Sequence, residues 1–84
     1  MSPAEASLRE ANRRFYDRNA SRYVSLPEIE EMVRVGKQIE IRDSQTDEDL
    51  TAVTLTRIIM ERQPEKMELF PVDMLHFILR SKGV

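Results

Sequence analysis

The stretch from Ser25 to Gly36 constrains this chain more than any other, because it carries the start and the stop of one helix. Ser25 and Glu28 have the spacing of a capping box, in which each side chain satisfies a backbone N–H of the first turn. Pro27 falls inside that first turn, where a missing N–H is tolerated. Ile29, Met32 and Val33 then recur at i, i+3, i+4, which lines up one apolar stripe. Gly36 suits the position just past a helix end, where the backbone turns left-handed.

The flanking segments are too short for further domains and read as strands and two more helices. Upstream, Asn12–Asp17 and Arg22–Ser25 are rich in aromatic and β-branched residues, and Arg18–Ser21 separates them. This is a β-hairpin pattern without the favoured Asn-Gly or Asp-Gly turn. Alternation puts Arg13 and Phe15 on one face and Arg14 and Tyr16 on the other. Residues 1–8 show no clear period, so residues 1–11 are expected to be a flexible lead-in and residues 12–84 the domain. Downstream, Ile39 and Ile41 alternate with Glu40 and Arg42, Asp43–Asp49 is a polar turn, and Leu50 begins a return strand. A helix is predicted from Ala52 to Gln63, with Thr51 as N-cap, Leu55, Ile58 and Ile59 as its stripe, and Pro64 as its stop. Gln63–Glu68 is a charged connector. A last helix is predicted from Pro71 to Ser81, with Gly83 after its end. Val72, Leu75 and Leu79 share one of its faces and Ile78 sits beside it. The expected class is α+β: an N-terminal β-hairpin, a helix, a short antiparallel strand pair and two further helices.

Charge is uneven along the chain. The net charge is −2. Arg9, Arg13, Arg14, Arg18 and Arg22 outweigh Glu10 and Asp17, a local balance of +3, whereas residues 28–51 come to −5. A basic patch beside an acidic body can still steer onto phosphate, because attraction follows the local field. With 40% hydrophobic and 33% charged residues, the chain is too apolar for a disordered tail. It has no cysteine, which excludes disulfides and cysteine-based zinc sites. No apolar run approaches the roughly 18 residues of a membrane span and the N-terminus lacks a signal-peptide core, so a cytoplasmic protein is expected.

The residues that could carry chemistry are few. Arg13, Arg14, Arg18 and Arg22 lie on or beside the hairpin with Tyr16 and Tyr23. Guanidinium forks match phosphate and guanine edges, and a two-stranded ribbon fits the major groove. The structural alternative is that one arginine pairs with Asp17, another lies over an aromatic ring and the rest are solvated. Asp43, Asp47, Glu48 and Asp49 lack the spacing of a calcium loop and read as a solvated turn in which Asp49 bonds local N–H groups. His76 is the only histidine and, without cysteine, makes neither a zinc site nor a triad. It is expected as a packed or half-exposed structural residue. Met32, Met60, Met67 and Met74 read as apolar filler. With Gly36 and Gly83 as its only glycines, the chain has no phosphate loop. No cofactor, no metal and no catalytic constellation is expected.

Asn12-Arg13-Arg14-Phe15-Tyr16-Asp17 followed by Ser21-Arg22-Tyr23-Val24-Ser25-Leu26 resembles the opening motif of the polyhydroxyalkanoate (PHA/PHB) synthesis regulators, in their N-terminal DNA-binding domain. Arg42 to Thr51 is similar to that family's Asp-Ala-Lys-Thr-Gly-Glu-Asp-Leu-Thr turn, and Leu55 to Glu61 to its following helix. The resemblance covers about residues 12–62, with a weaker echo in 69–83. Asp47 stands where the family has glycine, and Ser44-Gln45 replaces Ala-Lys, which removes a positive charge from the loop. The resemblance implies a DNA-binding transcriptional regulator of the repressor type and no enzyme, with Arg13, Arg14, Tyr16, Arg18 and Arg22 toward DNA. Contact with a PHA granule or polymer is expected only if a further region exists. Leu75, Phe77, Ile78 and Leu79 give the last helix more apolar coverage than one packing face requires, so a homo-oligomer is expected through it. The rival reading is a protein-interaction or dimerisation module that uses this fold without DNA.

Overall fold

The computed structural model describes residues 5–81. Three strands open the chain: β1 (Ala6–Ala11), β2 (Arg14–Asp17) and β3 (Arg22–Val24). Helix α1 (Leu26–Arg34), strand β4 (Ile39–Asp43), helix α2 (Thr51–Arg62), a 3₁₀-helix (Pro64–Leu69) and helix α3 (Val72–Arg80) follow. The sheet order is β3-β2-β1-β4, with β1 antiparallel to β2 and parallel to β4. The class is α+β, as the sequence predicts.

Helix α1 forms for the reasons legible in its sequence. The Ser25 hydroxyl accepts from the Glu28 N–H, and the Glu28 carboxylate accepts from the Ser25 N–H at 3.0 Å. At the other end Gly36 has φ +99, its N–H donates to the Val33 carbonyl at 2.9 Å, and the Lys37 N–H donates to the Met32 carbonyl at 3.0 Å. That pair of bonds is a Schellman closure, and it needs the left-handed residue that glycine supplies.

The N-terminal segment departs from expectation. Ala6–Ala11 is an inner strand of the sheet, where a flexible lead-in was predicted; residues 1–4 of that lead-in lie outside the described residues. Its alternation is real but short. Ala6 and Leu8 are buried, while Ser7 and Arg9 face the other way. Asn12 and Arg13, expected to begin a strand, instead form the two-residue turn between β1 and β2. The strands are also not all antiparallel. After β3, α1 crosses back over one face of the sheet, and β4 then runs alongside β1, the crossover that a parallel pair needs. The predicted return strand at Leu50 shrinks to one antiparallel bridge, Arg42 to Asp49, with the Leu50 N–H donating to the Ile41 carbonyl at 2.7 Å.

The core is small and lies between the inner sheet face and helices α1 and α2. Ala6, Leu8, Phe15, Val24, Ile39 and Ile41 meet Ile29 of α1 and Ile58 of α2, with Leu26, Met32, Leu50 and Leu55 packed at its rim. Each fully buried side chain of this kind contributes about 1.5–3 kcal/mol. Thr51, predicted as the α2 N-cap, bonds to the sheet instead: its hydroxyl accepts from the Ile41 N–H at 2.9 Å, and the Asp49 carboxylate accepts from the Thr51 N–H at 2.9 Å. The charged connector after α2 is a 3₁₀-helix. Helix α3 matches its predicted span, but none of its residues is buried and His76 is exposed, where a packed or half-exposed position was expected. Gly83, predicted to follow it, lies outside the described residues.

Candidate nucleic-acid interface

The outer face of the sheet, opposite the helices, gathers the polar half of each strand's alternation. Pair register sets Tyr23, Tyr16, Arg9 and Arg42 in one row across β3, β2, β1 and β4. The Tyr16 and Tyr23 rings meet edge to face at 5.2 Å between centroids, and the Arg14 guanidinium carbon stands 4.3 Å over the Tyr23 ring. A guanidinium there is attracted by the negative face of the ring, worth about 0.5–1 kcal/mol at an exposed site. The predicted alternative of one arginine lying over an aromatic ring is therefore realised by Arg14.

The five expected hairpin residues do not form one patch. Arg13 and Arg14 lie at one end of β2, and Arg18 begins the turn at the other end. Among the described residues no carboxylate lies within ion-pair distance of Arg13, Arg14 or Arg18, and all three are exposed. Arg22 is different. It pairs with Glu28 at 2.7 Å and so braces the α1 cap from the helix side of the sheet. That hydrogen bond, with those from Ser25, holds the Glu28 carboxyl below the usual carboxylate range. Asp17 does not pair with an arginine. It is buried, and its carboxylate accepts from the Asn19 and Ala20 N–H groups at 2.9 and 3.2 Å, which shapes the β2–β3 turn.

The Asn12-Arg13 turn is a strained element of this surface. Both residues have positive φ, 51° and 64°, between the paired residues Ala11 and Arg14. A two-residue hairpin loop with two left-handed residues has the twist that strands favour. Asparagine tolerates that conformation, whereas an arginine there costs roughly 1–2 kcal/mol relative to its right-handed form. The turn thus holds an exposed cation at its tip at some expense of stability.

Arg9 and Arg42 are functional candidates that the sequence reading passed over. The available signal was the alternation of Ala6 and Leu8 with Ser7 and Arg9. Both arginines are engaged from within. Arg9 pairs with Asp47 at 2.6 Å, and Arg42 reaches Glu40 at 3.3 Å and Asp47 at 3.9 Å. The hydrogen bond to Glu40, with the nearby Asp47 and Asp49 charges, raises the Arg42 pKa further. Asp47 adopts φ +63, the left-handed conformation that this turn demands, and its carboxylate ends up over the outer sheet face.

The rest of the acidic turn bonds locally. The Asp43 carboxylate accepts from the Gln45 and Thr46 N–H groups at 2.8 and 2.9 Å, and the Thr46 bond, then Gln45, lowers its pKa. Asp49 is lowered by its bond from the Thr51 backbone. Among the described residues no group of His, Cys, Asp or Glu is arranged to hold a metal ion. Among them too, no helix is long and apolar enough to cross a membrane. On α3, Phe77, Ile78 and Leu79 are exposed and Leu75 is half-buried.

The model of the PHB/PHA accumulation regulator DNA-binding domain family matches residues 9–66. A protein of Allochromatium vinosum described as uncharacterized is 36% identical over 72 residues, which cover 86% of this chain and 47% of the relative. A protein of Thiocystis violacea, described as an uncharacterized protein in the phbA 5′ region, is 32% identical over 72 residues, covering 86% of this chain and 52% of the relative. The chain thus spans about half the length of these curated relatives. No solved structure matches it.

Proposed function

Since the chain belongs to the PHB/PHA accumulation regulator DNA-binding domain family, we propose that it is the DNA-contacting module of a cytoplasmic repressor of polyhydroxyalkanoate synthesis, acting as a homo-oligomer. The observation that carries this reading is the set of exposed guanidinium groups at Arg13, Arg14 and Arg18, which face solvent without a carboxylate partner among the described residues. Six of the ten arginines of this chain, Arg9, Arg22 and Arg42 among them, pair with an acid among the described residues. Of the other four, Arg80 lies on α3, while Arg13, Arg14 and Arg18 stand at the two ends of β2, on either side of the Tyr16 and Tyr23 pair. Arginine on phosphate supplies affinity and register, and arginine on a guanine edge supplies sequence preference. Arg22 takes an indirect part in this reading, through the α1 cap. The setting of the Thiocystis relative, described by its place in the phbA 5′ region, agrees with a role in polymer metabolism.

The test is binding of the chain to DNA from the control region of a PHA-synthesis gene, by fluorescence anisotropy across a salt series. Arg13→Ala and Arg14→Ala should each weaken binding while the thermal melt stays close to the parent's. Loss of one phosphate contact should lower the slope of log affinity against log salt by about 1, and loss of a base contact should relax sequence preference at about 1–3 kcal/mol. If both variants bind as the parent does, the sheet surface is not the reader. A second reading, a protein-interaction module, is favoured by the exposed apolar side chains of α3. Absence of salt-dependent retention on a DNA column would select it.

A further inference from the structure

Two apolar surfaces of this chain have no partner among the described residues. The first is α3. Val72, Phe77, Ile78 and Leu79 are 65%, 70%, 55% and 84% exposed, and no α3 residue joins the core. Its only polar residues are Asp73, His76 and Arg80. At about 100° per residue these three fall within roughly a 60° arc, so apolar side chains cover most of the remaining circumference. The second surface is an open groove of about 260 Å³ between α1 and α2, floored by Val33, Leu55, Ile58 and Ile59. Arg34, Lys66 and Glu30 stand at its rim, and Glu30 is fixed there by Gln63 and Arg62. The radius of gyration, 13.9 Å, exceeds the roughly 12 Å of a compact chain of this length.

We propose that α3 of a second copy inserts into the α1/α2 groove, and that the exchange is reciprocal about a two-fold axis. This rests on the homo-oligomer part of the reading above and names its contact. The width of the α3 apolar arc decides against a simple α3–α3 seam, which would cover one stripe on each helix and leave the groove wet. Seating along the seam of two packed helices covers a wider arc than packing on one. The groove rim carries both signs of charge, as does the α3 polar stripe, so the stripe can face outward over the rim without burying an unpaired charge. A nine-residue helix alone makes a small contact; reciprocal exchange makes it twice, toward the roughly 1,200–2,000 Å² of a stable interface. The chain does not seat its own α3 there, because Phe70 and Pro71 leave the 3₁₀-helix in extended conformation and lead α3 off the body.

The experiment is sedimentation equilibrium on the 84-residue chain with Phe77→Asp in the helix and Val33→Glu in the groove, each checked by circular dichroism. The parent should sediment as a dimer and each variant alone as a monomer of half that mass. An equal mixture should associate at lower concentration than either variant alone, though more weakly than the parent, because one helix–groove contact then joins two unaltered surfaces. A Val33→Glu chain that dimerises like the parent, or a mixture that associates no more than either variant alone across the concentration series, overturns the proposal. So does a monomeric parent, including one whose α3 amides are protected from hydrogen exchange by closure onto its own groove. Should Val33→Glu lose its helical signal, Ile59→Gln takes its place. Salt-dependent DNA binding measured on the same samples separates the two readings: a monomer that still binds removes the exchange and leaves the DNA contact standing.

Discussion

The two faces of the four-stranded sheet are made by the same alternation and end in opposite states. The inner face offers Leu8, Phe15 and Ile41, and α1 and α2 close over it. The outer face offers Arg9, Arg14, Tyr16, Tyr23 and Arg42, and these side chains have mainly one another and Asp47 for neighbours. Burial supplies the larger part of the stability on the first face, while the exposed pairs of the second contribute little each. Arginines and tyrosines there keep solvent-facing groups that a ligand can reach. The exchange of roles between neighbouring residues, Leu8 for the core and Arg9 for the surface, is as sharp as a strand allows.

That contrast can be broken or sharpened by substitution. The largest effect belongs to the inner face. Leu8→Ala removes a fully buried side chain from a core of eight residues and should destabilise the chain by about 2–5 kcal/mol, read by urea denaturation. An effect no greater than that of Arg14→Ala would mean that the two faces are not divided as described. Next comes the cap of the helix that covers the inner face. Ser25→Ala removes a hydroxyl bonded to the Glu28 N–H and should cost about 0.5–2 kcal/mol with DNA affinity unchanged at matched folded fraction. A thermal melt showing no loss would mean that the capping box is idle. The smallest effect sits at the turn that joins the faces. Arg13→Gly relieves a left-handed arginine but adds chain entropy to the unfolded state, so stability should rise by no more than about 1 kcal/mol. DNA affinity should fall in the same variant. Stability and binding that move together would deny the turn its double role.

Much of the inner face was legible before any coordinates, because its rules are local. The capping box at Ser25 and Glu28, the Gly36 closure, the stop at Pro64 and the alternation around Ile39 and Ile41 each follow from backbone chemistry within a few residues. β1 was missed because four strand residues of clear alternation, preceded by Met1–Glu5, give a period too short to separate from a frayed end. The Asn12-Arg13 turn was missed for a similar reason: without glycine, the residue types do not announce two left-handed conformations. Of the expected DNA set, Arg14 and Tyr16 share the outer face, Arg13 and Arg18 cap its two ends, and Arg22 turns to Glu28.

By itself the sequence determined the α+β class, the span of each α-helix to within a residue or two, the family and the basic character of the N-terminal hairpin. Tertiary structure alone decided that β1 pairs parallel with β4, that Arg9 and Arg42 join the hairpin's tyrosines in one row, and that Asp47 comes to rest on both. It alone decided, too, that α3 buries none of its residues against the rest of the described chain. The physical reason is one of range. Caps, turns and periodicity are set by bonds between residues three or four apart, which the order of residues states directly. Strand partnership and the meeting of Arg9 with Asp47, 38 residues away, are set by which surfaces the chain can bring together at once, and only the folded chain answers that.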